Sequence, residues 1–423
     1  MTTIDEILEE IPEPAQEVVR QIWTSLPAEQ RQEFEELLDE LPDSLKPLKK
    51  ILLFVLQQYR PAFGIKHSVA IVGPANVGKS TLYNQLISRK EDEAQVGPVP
   101  GTTRQNQQAD TGLFTLVDTP GADAVGEVGE RERSIAFEAA RKADFLIIVF
   151  EATRGIKLYE KDLFDGLLTL GKPFVVVLNK IDLIPKRDRE RVHVASANNL
   201  GLRPSQIVET VATEGTNVGR VILSITKLEP ELLAAIAGAM PEYRARLAWQ
   251  RIVPAAGGAG IAGLIPLPFA DLLPLLGIQA GLVLSIARIY GFKITPSSAK
   301  ELVATFGIGF GARTLFQELS KLGGVPGWIL SASIAASTTV AIGYGSMIWF
   351  AFGEKPTREA MDKMVTDVTD YLKDHLMGMG EKKPDRGTLR ERITQALDNL
   401  PSALRPDHRD SPGESQPDLE KGE

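Results

Sequence analysis

Residues 73–81 read GPANVGKST, a fit to G-x-x-x-x-G-K-[ST] with Gly73, Gly78, Lys79 and Ser80 at the fixed positions. A nucleoside triphosphate is wrapped by backbone N–H groups that must come close, and glycine permits that approach with φ above zero. In such a loop Asn76, Val77 and Thr81 join the cradle, Lys79 reaches the β and γ phosphates as a point charge, and the Ser80 hydroxyl ligates Mg2+. Further along stands DTPG, where Asp118 can hold the Mg2+ hydration shell and the Gly121 N–H can meet the γ phosphate. Between the two lies VPGTTRQ, residues 99–105, with two hydroxyls that can complete the metal shell; Thr103, directly before Arg104, is favoured. Lys79, Thr103 and Gly121 are therefore the candidates for acting on the terminal phosphate.

A third stretch, FVVVLNKIDLI, carries Asn179, Lys180 and Asp182 in the pattern N-K-x-D. A carboxylate there accepts two hydrogen bonds, from the guanine N1–H and 2-amino groups, which adenine does not offer. The motifs together call for GTP or GDP with Mg2+.

These loops need a strand before each and a helix after the first. HSVAIVG (67–73), LFTLV and FVVVLN are apolar runs of strand type, and STLYNQLIS (80–88) has helical apolar spacing. The helix opening at Ser80 would add its positive dipole end to the phosphate site.

On GPANVGKST, PGTTR, DTPG and NKID, the stretch 65–228 resembles the TrmE-Era-EngA-YihA-Septin class of GTPases, and the Era and TrmE branch most closely. The resemblance implies an α/β P-loop GTPase domain with a mostly parallel six-stranded sheet and helices on both faces. It also implies Mg2+-dependent GTP hydrolysis, slow without an activator or K+, and loops that reorder with the γ phosphate. The family's guanine-side loop, usually S-A-K, falls in degenerate form at Val211, Ala212 and Thr213, where the Ala212 N–H would meet the guanine O6; the alternative SANNLG at 196–201 suits a helix. Ras-like proteins place a glutamine after the DxxG glycine, but Ala122 stands here. Some members of the branch instead recruit K+ through an asparagine at the position of Asn76, whose other reading is a tie within the loop.

The chain has 423 residues, enough for two or three domains, and a formal net charge of -8 that argues against a general nucleic-acid binder. It has no cysteine, hence no disulfide or thiolate site, and four scattered histidines that suggest no zinc centre. MTTIDEILEEIPEP carries acids where a secretory leader would be basic then apolar, so the GTPase part is expected in the cytoplasm. Composition divides the chain into an acidic helical N-terminal region (1–64), the GTPase domain (65–228), a glycine-rich apolar helical domain (229–353), polar helices (354–400) and a disordered tail (401–423). The charge run of the first region reads as a solvated helix face.

From Leu322 to Gly353 there is no charged residue. Trp328 and Trp349 would lie roughly 30 Å apart on a helix, about the thickness of a bilayer's hydrocarbon core. Small residues recur at four-residue spacing, as in Ala256 and Gly260, Ala259 and Gly263, and Gly307 and Gly311, which lets helices pack closely in lipid. A soluble buried bundle reads the same way. Through PLPFADLLPLLGIQAGLVLSIARIYG this region is similar to the YcjF-type domain, a bacterial family often tied to membranes. The expectation is a GTP-binding and GTP-hydrolysing switch on the cytoplasmic side of a bacterial membrane, with an unidentified protein partner or self-association. One alternative is a dynamin-like protein that assembles on GTP binding. Another is a ribosome or RNA assembly GTPase, disfavoured by the acidic charge and by the lack of a basic GXXG element after the GTPase domain.

Overall fold

The computed structural model describes residues 61, 66, 68–87, 113–116, 137, 138, 140–264, 272–292, 325–380 and 384–401. Five strands form one sheet: β1 (Val69–Val72), β2 (Phe114–Leu116), β3 (Phe145–Glu151), β4 (Phe174–Asn179) and β5 (Ile207–Thr210). Their spatial order is β2-β1-β3-β4-β5 and every pairing is parallel, with Val69 opposite both Phe114 and Phe145, and Val176 opposite Ile207. Parallel strands covered on both faces are near-continuous apolar runs, which explains VAIV, FLIIVFE and FVVVLN. The described residues thus hold five strands where six were expected; residues 88–112 and 117–136 fall outside the described set.

Alternation along the strands separates two cores. Val69, Ile71, Val149, Val175 and Val177 face α1 (Lys79–Ile87) and α4 (Val218–Leu228), meeting Leu82, Leu86, Val221, Ile222 and Ile225. Ala70, Val72, Ile148, Phe150, Val176 and Leu178 face the other way, onto Leu163, Phe164 and Leu167 of α2 (Leu158–Leu168) and Ala197 and Leu200 of α3 (Lys186–Leu200). The chain passes from β1 outward to β2, then back across to β3, so the loop after β1 lies where the winding direction reverses. Ligands of open α/β sheets bind at that crevice, beyond the carboxyl ends of the strands.

The rest of the described chain is helical: α5 (Leu233–Ala239), α6 (Arg244–Ala262), α7 (Leu272–Ile289), α8 (Gly327–Phe352), α9 (Arg358–Met377) and α10 (Arg386–Asp398). α9 and α10 start at side-chain caps, the Thr357 hydroxyl accepting from the Ala360 N–H and the Asp385 carboxylate from the N–H groups of Gly387 and Thr388. α6 packs against α7, α8 and α10, and α8 also against α9. Small residues allow these approaches. A Cβ on Gly260 would sit 2.6 Å from Ile393 Cδ1 and 3.2 Å from the Ala332 carbonyl oxygen, and one on Gly343 would sit 2.5 Å from Ile252 Cγ1. Gly343→Val should therefore lower stability by about 1 to 3 kcal/mol through overpacking, read as a reduced thermal unfolding midpoint.

α8 is apolar all round and buried along most of its length. On one side it meets Met361, Val365, Val368 and Leu372 of α9, and the Ser337 and Thr369 hydroxyls lie 2.6 Å apart. The opposite face of α9 carries Glu359, Asp362, Lys363, Asp367, Asp370 and Asp374, so α8 is screened on that side by a charged helix face. The core is continuous from the sheet into this bundle through α4 and α6. Gln250 of α6 fixes the junction, donating to the Leu223 carbonyl at 2.7 Å and accepting from the Thr226 hydroxyl at 2.9 Å.

Candidate nucleotide-binding site

At the carboxyl end of β1 the chain turns sharply through Gly73 (φ 150°) and Gly78 (φ 95°) before entering α1. Neither tolerates a side chain: a Cβ on Gly73 would lie 2.2 Å from the Val149 carbonyl oxygen, and one on Gly78 would lie 2.3 Å from Asn179 Nδ2. Between them Asn76 takes the left-handed conformation (φ 64°) with an exposed side chain. Lys79 is almost wholly buried, and its ammonium donates to the Pro74 carbonyl at 2.8 Å, which holds the charge inside the loop. Ser80 is exposed in the first turn of α1 and Thr81 half-buried behind it, while Val77 turns into the core.

Asn179 ends β4 and is 3% exposed. Its amide donates to the Val77 carbonyl at 2.9 Å, and its Oδ1 accepts from the Thr210 hydroxyl at 3.0 Å and the Ala212 N–H at 3.0 Å. One side chain thus ties the phosphate loop to the turn after β5. The Ala212 N–H, expected to meet the guanine O6, donates to Asn179 Oδ1 here. Val211 and Thr216 close this turn by a short antiparallel bridge, with Thr213 exposed within it. SANNL (196–200) lies in the last turns of α3.

Lys180 follows in the left-handed region (φ 62°), strained for a residue with a Cβ. Two contacts hold it: its ammonium donates to the Asn76 carbonyl at 2.7 Å and pairs with Glu151 Oε2 at 2.8 Å. Burial alone would raise the Glu151 carboxyl, but the Lys180 ammonium and the Thr153 hydroxyl, with Arg154 nearby, hold it below the usual carboxylate range. Asp182 is exposed on the next turn, whose carbonyls at Ile184 and Asp182 are gripped by Arg189 at 3.0 and 3.4 Å. Among the described residues, three non-glycine residues have positive φ: Asn76, Lys180 and Asn217. The first two sit in the phosphate and guanine loops, and Asn217 closes the turn after β5 by donating to the Glu209 carbonyl at 2.9 Å.

The structure therefore brings Gly73, Asn76, Val77, Gly78, Lys79, Ser80 and Thr81 together with Asn179, Lys180, Asp182 and Ala212 at one end of the sheet. Thr103, Asp118 and Gly121 lie outside the described residues. Glu151 and Thr210 stand outside the sequence motifs. Their signal is present in FLIIVFE and IVET, where a polar side chain closes an apolar strand at the functional edge.

Residues 68–180 match the family model described as 50S ribosome-binding GTPase, and residues 244–374 match a domain of unknown function, DUF697. GTPase Der of Pseudothermotoga lettingae is 30% identical over 226 residues, 49% of this chain and 49% of that protein. GTPase Der of Chloroflexus aurantiacus is 34% identical over 177 residues, 39% of this chain and 38% of that protein. The chain thus spans about half or less of the length of these relatives. Among solved structures, a variant of Aquifex aeolicus Era bound to GDP and AlF4- is 26% identical, covering 44% of this chain and 67% of that one at a TM-score of 0.30.

Proposed function

We propose that this chain, which joins a P-loop GTPase domain to a helical domain of the DUF697 type, binds GTP, hydrolyses it slowly and uses the cycle as a switch at a membrane. The observation that carries the nucleotide part is the Asn179 link: the loop that takes phosphates and the turn that takes the base hang on one buried side chain. That arrangement registers two distant ends of one ligand. Lys79 would leave the Pro74 carbonyl for the β and γ phosphates, and the backbone N–H groups between Gly73 and Ser80 would surround them. Asp182 reads the guanine edge, while the Lys180 stem, held by Glu151 and the Asn76 carbonyl, flanks the base.

Mg2+ suits the donor set, because Ser80 presents an exposed hydroxyl at the helix start and the sequence supplies Thr103 and Asp118 as further oxygen donors. When bound, the ion neutralises charge that develops between the β and γ phosphates. The chain itself positions the phosphates and excludes bulk water with the buried floor of Val77 and Lys79. With Ala122 in place of a water-orienting glutamine, Asn76 is the group in the loop that can bring a monovalent cation to the phosphates. Phosphate release from GTP by the full chain should accordingly run severalfold faster in KCl than in NaCl of equal strength. Equal rates in the two salts would remove Asn76 from this role and leave the nucleotide site untouched.

Support for the membrane part comes from α8: 26 residues without a charge, with Trp328 and Trp349 near its ends. Its cover by α6, α7 and the charged helix α9 means that lipid contact requires the bundle to open or to enter with α8 at its centre. The full chain is expected in the carbonate-washed membrane pellet. A monodisperse, detergent-free monomer would show instead that these helices serve only one another.

A further inference from the structure

Beside β5, the last strand of the described sheet, lies a groove of about 520 Å³ lined by β5, α4 and Gln250 of α6. Ile207, Val208 and Leu223 give it an apolar floor, and Arg220 and Lys227 stand on its α4 rim. A third basic side chain, His193, is already committed, with Nδ1 2.7 Å from Glu209 Oε1 and Nε2 2.9 Å from the Pro204 carbonyl. Arg220 and Lys227 are both exposed, and among the described residues neither has a side-chain hydrogen bond or an ion pair. Two cations about two turns apart on one face of α4, over an apolar floor, fit a partner that is both acidic and amphipathic.

We propose that this groove is the docking site of the chain's own acidic N-terminal segment, residues 33–43. Three observations support that occupant. Residues 1–60 carry thirteen carboxylates against six basic side chains, and EFEELLDELPD (33–43) holds six of those carboxylates without a basic residue. Within it Phe34, Leu37, Leu38 and Leu41 fall at i, i+3, i+4 and i+7, one apolar stripe on a helix, with carboxylates on both flanks. Finally, the chain passes close by: Lys66 is paired at 2.7 Å with Glu229, two residues beyond Lys227 and just past the end of α4. Twenty-two residues separate Asp43 from Lys66, an extended reach of roughly 70 Å against the roughly 16 Å length of α4. Docked, the segment would press on α4, whose first turn follows the guanine-side loop and whose last turns meet Gln250 of the bundle. Occupancy of the groove would then report to both domains.

The absence of cysteine makes a direct test clean. In the full chain, a Ser44→Cys, Ser205→Cys pair places one thiol beside the segment and one on the groove rim, and a Ser44→Cys, Asp162→Cys pair places the second thiol on α2 across the sheet. A short bismaleimide should link the first pair within one chain about tenfold faster than the second, because docking raises the local concentration. Arg220→Glu with Lys227→Glu should bring the two rates together while leaving the unfolding midpoint unchanged, and salt should do so gradually. Equal linking of the two pairs in the parent chain, indifference to the charge reversal, or linkage only between separate chains would overturn the proposal. The last result would assign the groove to a second copy.

Discussion

In the Asn179→Ala variant, GTP affinity should fall by about 100-fold and the GTPase domain should lose on the order of 3 kcal/mol of stability. The truncation removes three hydrogen bonds of 2.9 to 3.0 Å from a site that is 3% exposed. It leaves the Val77 carbonyl, the Thr210 hydroxyl and the Ala212 N–H without that partner in a place water reaches poorly, and buried groups so stranded cost about 1 to 3 kcal/mol each, less than additively when neighbours relax together. Affinity suffers as well, because the ligand itself must then hold the two loops in register. Titration with a fluorescent GTP analogue and thermal unfolding without nucleotide separate the two effects. An affinity within threefold of the parent would mean that the two loops are held by other contacts.

Asp182→Asn should exchange base preference rather than abolish binding. The Asp182 side chain is exposed and makes no hydrogen bond or ion pair among the described residues, so its loss costs the fold little. What changes is the pattern offered to the base. A carboxylate accepts from two guanine donors, whereas an amide confronts one of them with its own N–H. Loss of two charge-assisted bonds of about 1.5 to 3 kcal/mol each predicts at least a 100-fold weaker Kd for GTP. Xanthosine triphosphate, which presents a carbonyl where guanine presents its amino group, should bind the variant more tightly than the parent.

The pieces of the site that were legible in the sequence are those whose chemistry tolerates few residue types. GPANVGKST needs glycine where the Val149 carbonyl and the Asn179 amide crowd the backbone, and no other side chain fits. Asn179 is legible because two backbone loops demand its fixed donor and acceptor pattern, and Asp182 because the base edge proposed for it would demand another. Glu151 and Thr210 are not legible in the motifs because their work is relational: each supports another residue, Lys180 or Asn179, that only the sheet brings near. The sheet itself was readable from its buried runs, whereas its strand number came from a family likeness and not from any run in this chain. α8 shows the limit most plainly. A charge-free helix flanked by tryptophans has one pattern whether lipid or α6, α7 and α9 surround it, and the distinction rests on side chains of other elements, such as the charged outer face of α9.

On the function proposed above, one site strung on Asn179 selects guanine nucleotides through Asp182. Its most direct test is competition on the unmodified full chain with Mg2+ present: a fluorescent GTP analogue is bound, then unlabelled GTP, GDP, ATP and xanthosine triphosphate are titrated in. GTP and GDP should displace it at concentrations at least 100-fold below those needed for ATP, since adenine offers neither of the donors that Asp182 accepts. Displacement by ATP and GTP at equal concentrations would show that Asp182 does not select the base.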